Sequence, residues 1–102
     1  MIVVITKEAD ADLERIGDFI AHDNPARAVS FVAEIEDRCK RLAVIPRAFP
    51  LVPRYEDTGV RRRPYGDYLI FYRVEDDTVQ VLHILHGSQD YEALLFPSGE
   101  TS

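Results

Sequence analysis

The chain reads as an α+β domain of order β-α-α-β-β-β, a helical hairpin packed on a small antiparallel sheet. Apolar residues recur at spacings of three and four through the first half, which is the helical period. Tyr68–Val74 is a continuous apolar strand pattern, followed by a charged turn and a second run, Val79–Leu85. Pro46, Pro50 and Pro53 separate the halves, and proline removes a backbone donor, so the join is an extended connector or a ragged strand edge, not a helix. A helix pair followed by an antiparallel meander packs as two layers.

Taken in order, Ile2–Ile5 is a β-branched run that Thr6 or Lys7 ends. Ala9, Leu13, Ile16 and Ile20 then mark one face of a helix over residues 8–22. Glu8, Asp10, Asp12 and Glu14 crowd its first turns, where the helix dipole favours negative charge. Asn24 caps a second helix, and Pro25 fits its first position. Ala28, Phe31 or Val32, Ile35, Cys39 and Leu42 trace its buried face over 25–44. Arg38, Lys40 and Arg41 sit near its C-terminus, the end that favours cations. Val60–Tyr65 is a strand candidate interrupted by Pro64. Glu75–Thr78 turns the chain between the last two strands, and Tyr91–Phe96 is a short helix or an apolar tail. The 102 residues make one domain over 1–96, with a flexible tail at 97–102.

Composition narrows the function. With 46% hydrophobic and 29% charged residues the chain fills a modest core. Its apolar runs are too short to span a membrane, and its start lacks a basic, cleavable leader. One cysteine, Cys39, excludes an internal disulfide and a multi-cysteine zinc site. A reducing cytoplasm is the expected home. The formal net charge is −6, distributed as −6 over residues 1–37, +6 over 38–63 and −6 over 64–102. The overall sign disfavours indiscriminate nucleic-acid binding. The basic middle is either a local anion-facing patch or a solvated surface paired with the acidic flanks.

Few residues are placed for chemistry. His83 lies within a strand pattern and His86 at its end; both read as structural, with His86 beside Gly87 better placed to titrate near neutral pH. Cys39 lies on an apolar helix face, the setting of an inert thiol. No phosphate loop, nucleophile elbow or converging metal ligands are visible. Neither a cofactor nor a metal is expected. Arg61-Arg62-Arg63 is the densest basic run, and strand alternation sends Arg61 and Arg63 to one face and Arg62 to the other. Arginine's planar fork suits phosphate or carboxylate. Tyr65, Tyr68 and Tyr72 follow closely, either as strand packing or as stacking faces.

Several features in order are shared with a known family. They are Ala9-x3-Leu13-x2-Ile16, Pro25-x2-Ala28-x2-Phe31-x3-Ile35, Leu42-x3-Pro46, the arginine run, Tyr68–Arg73 and His86-Gly87-x2-Asp90. On these the chain resembles the ParE/RelE toxins of bacterial type II toxin–antitoxin modules, often described as plasmid stabilisation proteins. The resemblance spans roughly residues 3–95. It implies two helices over a small sheet and a cognate antitoxin that wraps the toxin with a segment folding on contact. The receiving surfaces it implies are the outer side of the helical hairpin, where Phe19 and Val29 fail to fit the buried face, and a free sheet edge. DNA contact for autoregulation would belong to the antitoxin, so no sequence-specific DNA binding is expected of this chain.

The family holds two activities. RelE-like members cut messenger RNA on the ribosome, which requires activating a 2′-hydroxyl and stabilising phosphorane charge. Under that resemblance Arg63 and Tyr91 are the candidate catalytic residues. The later arginine position is occupied by Gln89, or by Ser88 if the alignment slips, and neither carries a permanent charge. ParE-like members inhibit DNA gyrase without chemistry of their own. The ending His86-Gly87-x2-Asp90-Tyr91-x2-Leu94-Leu95 is more similar to that branch, so a non-enzymatic gyrase inhibitor is the favoured expectation. The expected target contacts are Arg61, Arg62 and Arg63 with His86, Gln89, Asp90 and Tyr91. Ribosome-dependent RNA cleavage and a non-toxic antitoxin-binding role are the alternatives.

Overall fold

The computed structural model describes residues 1–97. The expected tail lies outside them apart from Pro97. Strand β1 is Ile2–Ile5, helix α1 Lys7–Ala21, helix α2 Pro25–Arg41, and the meander is β2 Val60–Tyr65, β3 Tyr68–Glu75 and β4 Thr78–His86. A five-residue helix α3, Tyr91–Leu95, closes the described chain, and a 3-10 turn at Glu56–Thr58 precedes β2. The element order is the one expected, with helix ends shifted by one to three residues.

Local chemistry sets the helix starts. Thr6 Oγ1 accepts the Ala9 N–H at 3.2 Å as the α1 cap, while its own proton goes to Val81 O at 2.7 Å. One hydroxyl thus starts α1 and ties it to β4. Asn24 Oδ1 accepts the Arg27 N–H at 3.0 Å and Pro25 occupies the first turn of α2. α2 stops at Arg41, and Leu42–Val44 continue only as turns.

The strand order is β1-β4-β3-β2. β2, β3 and β4 form the expected antiparallel meander, but β1 runs parallel to β4, so the sheet is mixed rather than purely antiparallel. The reason is connectivity: the helical hairpin carries the chain over one face of the sheet, and β1 fills the edge of β4 that β3 leaves open. Pro64 sits in the edge strand β2, where the missing N–H costs no ladder bond. Part of that edge is covered, since Val52 N–H donates to Val60 O and Arg62 N–H to Pro50 O. Gly66, at φ 58°, makes the tight β2–β3 turn that a side chain would strain. The β3–β4 register slips where Phe71 faces His83 but Tyr72 faces Val81, leaving Leu82 as a bulge.

Both faces of the sheet are covered. On one, Leu13, Ile16, Phe31, Ile35 and Cys39 of the helices pack on Ile70, Tyr72, Val79, Val81 and Ile84. On the other, Val52, Val60, Phe71 and Leu85 form a smaller core under Tyr55, Tyr91, Leu95 and Phe96. This explains why β3 is apolar on both alternating sides. Phe71 and Tyr72 are consecutive and both fully buried, one in each core. Each contributes about 1.5–3 kcal/mol of burial.

Candidate functional site

Three surfaces carry the residues that the sequence singles out. The first is the outer side of the helical hairpin. α1 and α2 enclose a groove of about 690 Å³ there, lined by Gly17, Ala21, Ala28, Val29, Val32 and Ala33. The helices approach closely: a Cβ on Gly17 would meet Val32 Cγ2 at 3.3 Å. Asp10, Glu14, Asp18 and Glu36 also line the groove and make it acidic. Val29 is 74% exposed and lines the groove; Phe19 is 75% exposed but stands outside it.

The second surface is the arginine run, and β2 divides it by alternation. Arg63, paired with Ile70, stays on the helix-facing side, its guanidinium 4.7 Å from the Phe49 ring centroid. Burial lowers its pKa, and the nearby charges of Arg38 and Arg41 lower it further. Arg61 is on the same side, donating to Phe49 O at 2.8 Å. Arg62 points the other way and donates to Tyr91 Oη at 2.7 Å. Tyr91 packs its ring 4.9 Å from that of Phe71, so α3 is clamped to the second core. Arg54 adds an ion pair to Glu92 at 2.7 Å.

The third surface is the turn after β4. His86 Nδ1 is bonded to Ser88 Oγ at 2.7 Å and to the Ser88 N–H at 3.1 Å. Gln89 Oε1 accepts the His86 N–H at 2.9 Å. Asp90 is exposed and makes no side-chain cap for α3. His86, Gln89, Asp90 and Tyr91 therefore lie together, and Arg62 joins them through Tyr91. Arg61 and Arg63 do not. The pair considered for RNA cleavage, Arg63 and Tyr91, is split between opposite faces of the sheet, because strand alternation turns Arg63 toward the helices.

One polar centre was not foreseen. Asp12 is only 2% exposed. Its Oδ2 accepts the Ile84 N–H at 2.9 Å and contacts His83 Nδ1 at 2.7 Å, while Oδ1 accepts from Arg15. β1 pairs with β4 only as far as Val81, so beyond that point no described strand pairs with that edge of β4. The Asp12 carboxylate takes the place of the missing backbone carbonyl. A sequence signal for this existed: Asp12 falls three residues after Ala9 and four before Ile16, inside the apolar stripe of α1. Cys39 is buried as expected, and desolvation pushes its thiol up to about 12. Among the described residues no three His, Cys, Asp or Glu side chains converge as metal ligands. No described helix is long and apolar enough to cross a membrane.

The fold is thus a small mixed sheet under a helical hairpin, with an open groove of apolar and acidic residues between the helices. Its family can be given directly. The chain belongs to the ParE toxin family of type II toxin–antitoxin systems, parDE, which matches residues 3–91. Among solved structures it is similar to the chromosomal ParDE TA system from P. aeruginosa, with 27% identity and a TM-score of 0.70. That match covers 84% of this chain and 95% of the other. No curated protein matches the chain.

Proposed function

We propose that this chain arrests growth by inhibiting DNA gyrase, and that a cognate antitoxin silences it by laying an amphipathic helix in the groove between α1 and α2. The groove is the observation that carries the reading. It is apolar along its floor and acidic along its sides, so it suits a helix with a stripe of small apolar residues flanked by lysine or arginine. Val29 marks the contact that such a helix would cover. The outer edge of β1, with Ile2 and Val4 exposed, is a second place for an extended antitoxin segment to pair.

Family membership supports gyrase as the target, with His86, Gln89, Asp90, Tyr91 and Arg62 as the contact surface. RNA cleavage is disfavoured by the separation of Arg63 from Tyr91 and by Gln89 being held on the His86 N–H. The protein then acts in the cytoplasm, without a cofactor, and leaves operator binding to its antitoxin. The test is a supercoiling reaction with purified gyrase and relaxed plasmid. Blocked supercoiling with accumulated linear DNA, relieved by the antitoxin, supports the proposal. Unaffected gyrase refutes it, and growth arrest on expression would then point to RNA cleavage, normal growth to a binding partner only.

A further inference from the structure

Neither the groove nor the turn after β4 uses most of the basic middle of the chain. Arg38 and Arg41 stand on the last turns of α2, Arg61 and Arg63 on β2. The Arg38 guanidinium lies 4.9 Å from the Tyr65 ring centroid, and that of Arg63 4.7 Å from Phe49. Arg38 and Arg41 are near enough to Arg63 for their charges to lower its pKa. Arg61 shares the helix-facing side of β2 with Arg63, and its Nη1 donates to Phe49 O at 2.8 Å and reaches Arg47 O at 3.4 Å. Arg38, Arg41, Arg61 and Arg63 therefore share one surface, with Arg47 at its margin.

Little in the fold neutralises these cations. Asp37 is shared by Arg41 at 2.9 Å and Arg38 at 3.0 Å. Glu34, one turn earlier on α2, is taken by Arg27 and by the Tyr65 hydroxyl. Among the described residues Arg61 and Arg63 have no carboxylate in ion-pair range. Arg63 Nε is closed to solvent and takes no part. Its two terminal nitrogens reach solvent and have no bond among the described residues. Arg41 is 61% exposed. Asp10, Glu14, Asp18 and Glu36 gather instead at the groove. The acidic flanks thus leave this part of the basic middle unpaired, a surface that faces anions.

Residues 50–52 cover the β2 edge through the Val52 N–H to Val60 O and Arg62 N–H to Pro50 O bonds, so an acidic strand has no edge to join there. Unstacked bases find no platform either. Phe49 is capped by Arg63, Tyr65 by Arg38 with Phe31 packed against it, and Tyr72 is buried. What remains is a set of guanidinium forks for closely spaced anions. Duplex DNA presents such anions outward, about one per 1.7 Å of its axis, and keeps its bases stacked. We propose that Arg38, Arg41, Arg61 and Arg63 hold the sugar–phosphate backbone of duplex DNA without reading its sequence. The net charge of −6 keeps this contact weak, salt-dependent and confined to one face. It stands whether or not gyrase is the target.

The test is the fluorescence anisotropy of a labelled short DNA duplex of mixed sequence, titrated with the full chain over a range of potassium chloride and without gyrase. Saturable binding is expected at low salt, with log affinity falling against log salt at a slope of about −3 to −4, for about four phosphates neutralised. Arg41→Gln and Arg63→Gln are each expected to flatten that slope by about 1. Arg41 is mostly exposed, so its variant keeps the fold, and circular dichroism checks that of Arg63. Lys7→Gln removes the same charge from an exposed position at the start of α1 and is expected to leave the slope unchanged. The matching single strand and polyglutamate are expected to bind more weakly than the duplex. No saturable binding of the duplex, an unchanged slope in either arginine variant, or an equal flattening in Lys7→Gln would each overturn the proposal. So would single strand or polyglutamate binding as tightly as the duplex. The supercoiling assay decides gyrase inhibition separately, so the failure of one leaves the other standing.

Discussion

Asp12→Ala withdraws one acceptor from three donors at once. The Ile84 N–H, 2.9 Å from Oδ2, is buried with the carboxylate at a β4 edge that no described strand pairs. An unmet buried N–H costs about 1–3 kcal/mol. The His83 side chain is 22% exposed and recovers part of its bond from solvent. Arg15, 68% exposed, recovers nearly all of its own. The expected loss is about 3 kcal/mol, a large share of the ~5–15 kcal/mol that holds a domain together. At roughly 4–8 °C per kcal/mol, the melting midpoint falls by about 12–24 °C. Asp12→Asn keeps one carbonyl acceptor and is expected to lose about half as much. Asp10→Ala, on the exposed side of the same turn, should stay within about 0.5 kcal/mol of the parent. Thermal melts followed by circular dichroism read all three. A midpoint for Asp12→Ala within about 2 °C of the parent would show that the carboxylate does not stand in for backbone pairing.

Val29→Arg adds a bulky cation at a groove residue that is 74% exposed, so stability should change by less than about 0.5 kcal/mol while antitoxin affinity drops at least tenfold in calorimetry. Arg63→Ala loses a stack on Phe49 worth about 0.5–1 kcal/mol but relieves repulsion from Arg38 and Arg41; urea melts should remain cooperative and within about 1 kcal/mol of the parent. Cys39, with its thiol pushed up to about 12, should resist iodoacetamide at neutral pH in the folded chain and react after unfolding, as mass spectrometry would record. Burial raises the pKa of Tyr72, whose hydroxyl donates to Pro46 O at 2.8 Å. Folding thus favours the neutral phenol: its contribution is intact below the unfolded value of about 10 and is lost as pH rises through the higher folded value. Urea midpoints measured up the alkaline range should fall, and less steeply in Tyr72→Phe.

Features encoded by local pattern were legible. The four-three-four spacing of Ala9, Leu13, Ile16 and Ile20 defined α1, Asn24-Pro25 placed the start of α2, and alternation divided the arginines of β2 correctly. Long-range features were not. Nothing in Ile2–Ile5 specifies whether its partner runs with it or against it, so the parallel pairing to β4 was missed. Asp12 read as a dipole-favoured acid because the donor that explains its burial, the Ile84 N–H, lies 72 positions along the chain. The same limit applied to the candidate site. Motif resemblance brought Arg63 and Tyr91 together on one line of argument, yet one faces α2 and the other clamps α3. The Arg62–Tyr91 bond joins segments 29 positions apart and has no local signature.

The pairing of β1 with β4 also imposes an order in time. Ile2 leaves the ribosome first but meets its partner residue only when Thr78 has followed. At roughly 5–20 residues per second, the first strand waits about 4–15 s with its apolar side chains unpartnered. Until then the Thr6 hydroxyl has no Val81 carbonyl to bind, and Asp12 has no Ile84 amide to satisfy. The nascent chain thus lacks the finished sheet until its last strand has been made. Under the proposed function, an antitoxin already present would meet the complete fold only when the last strand emerges, not before.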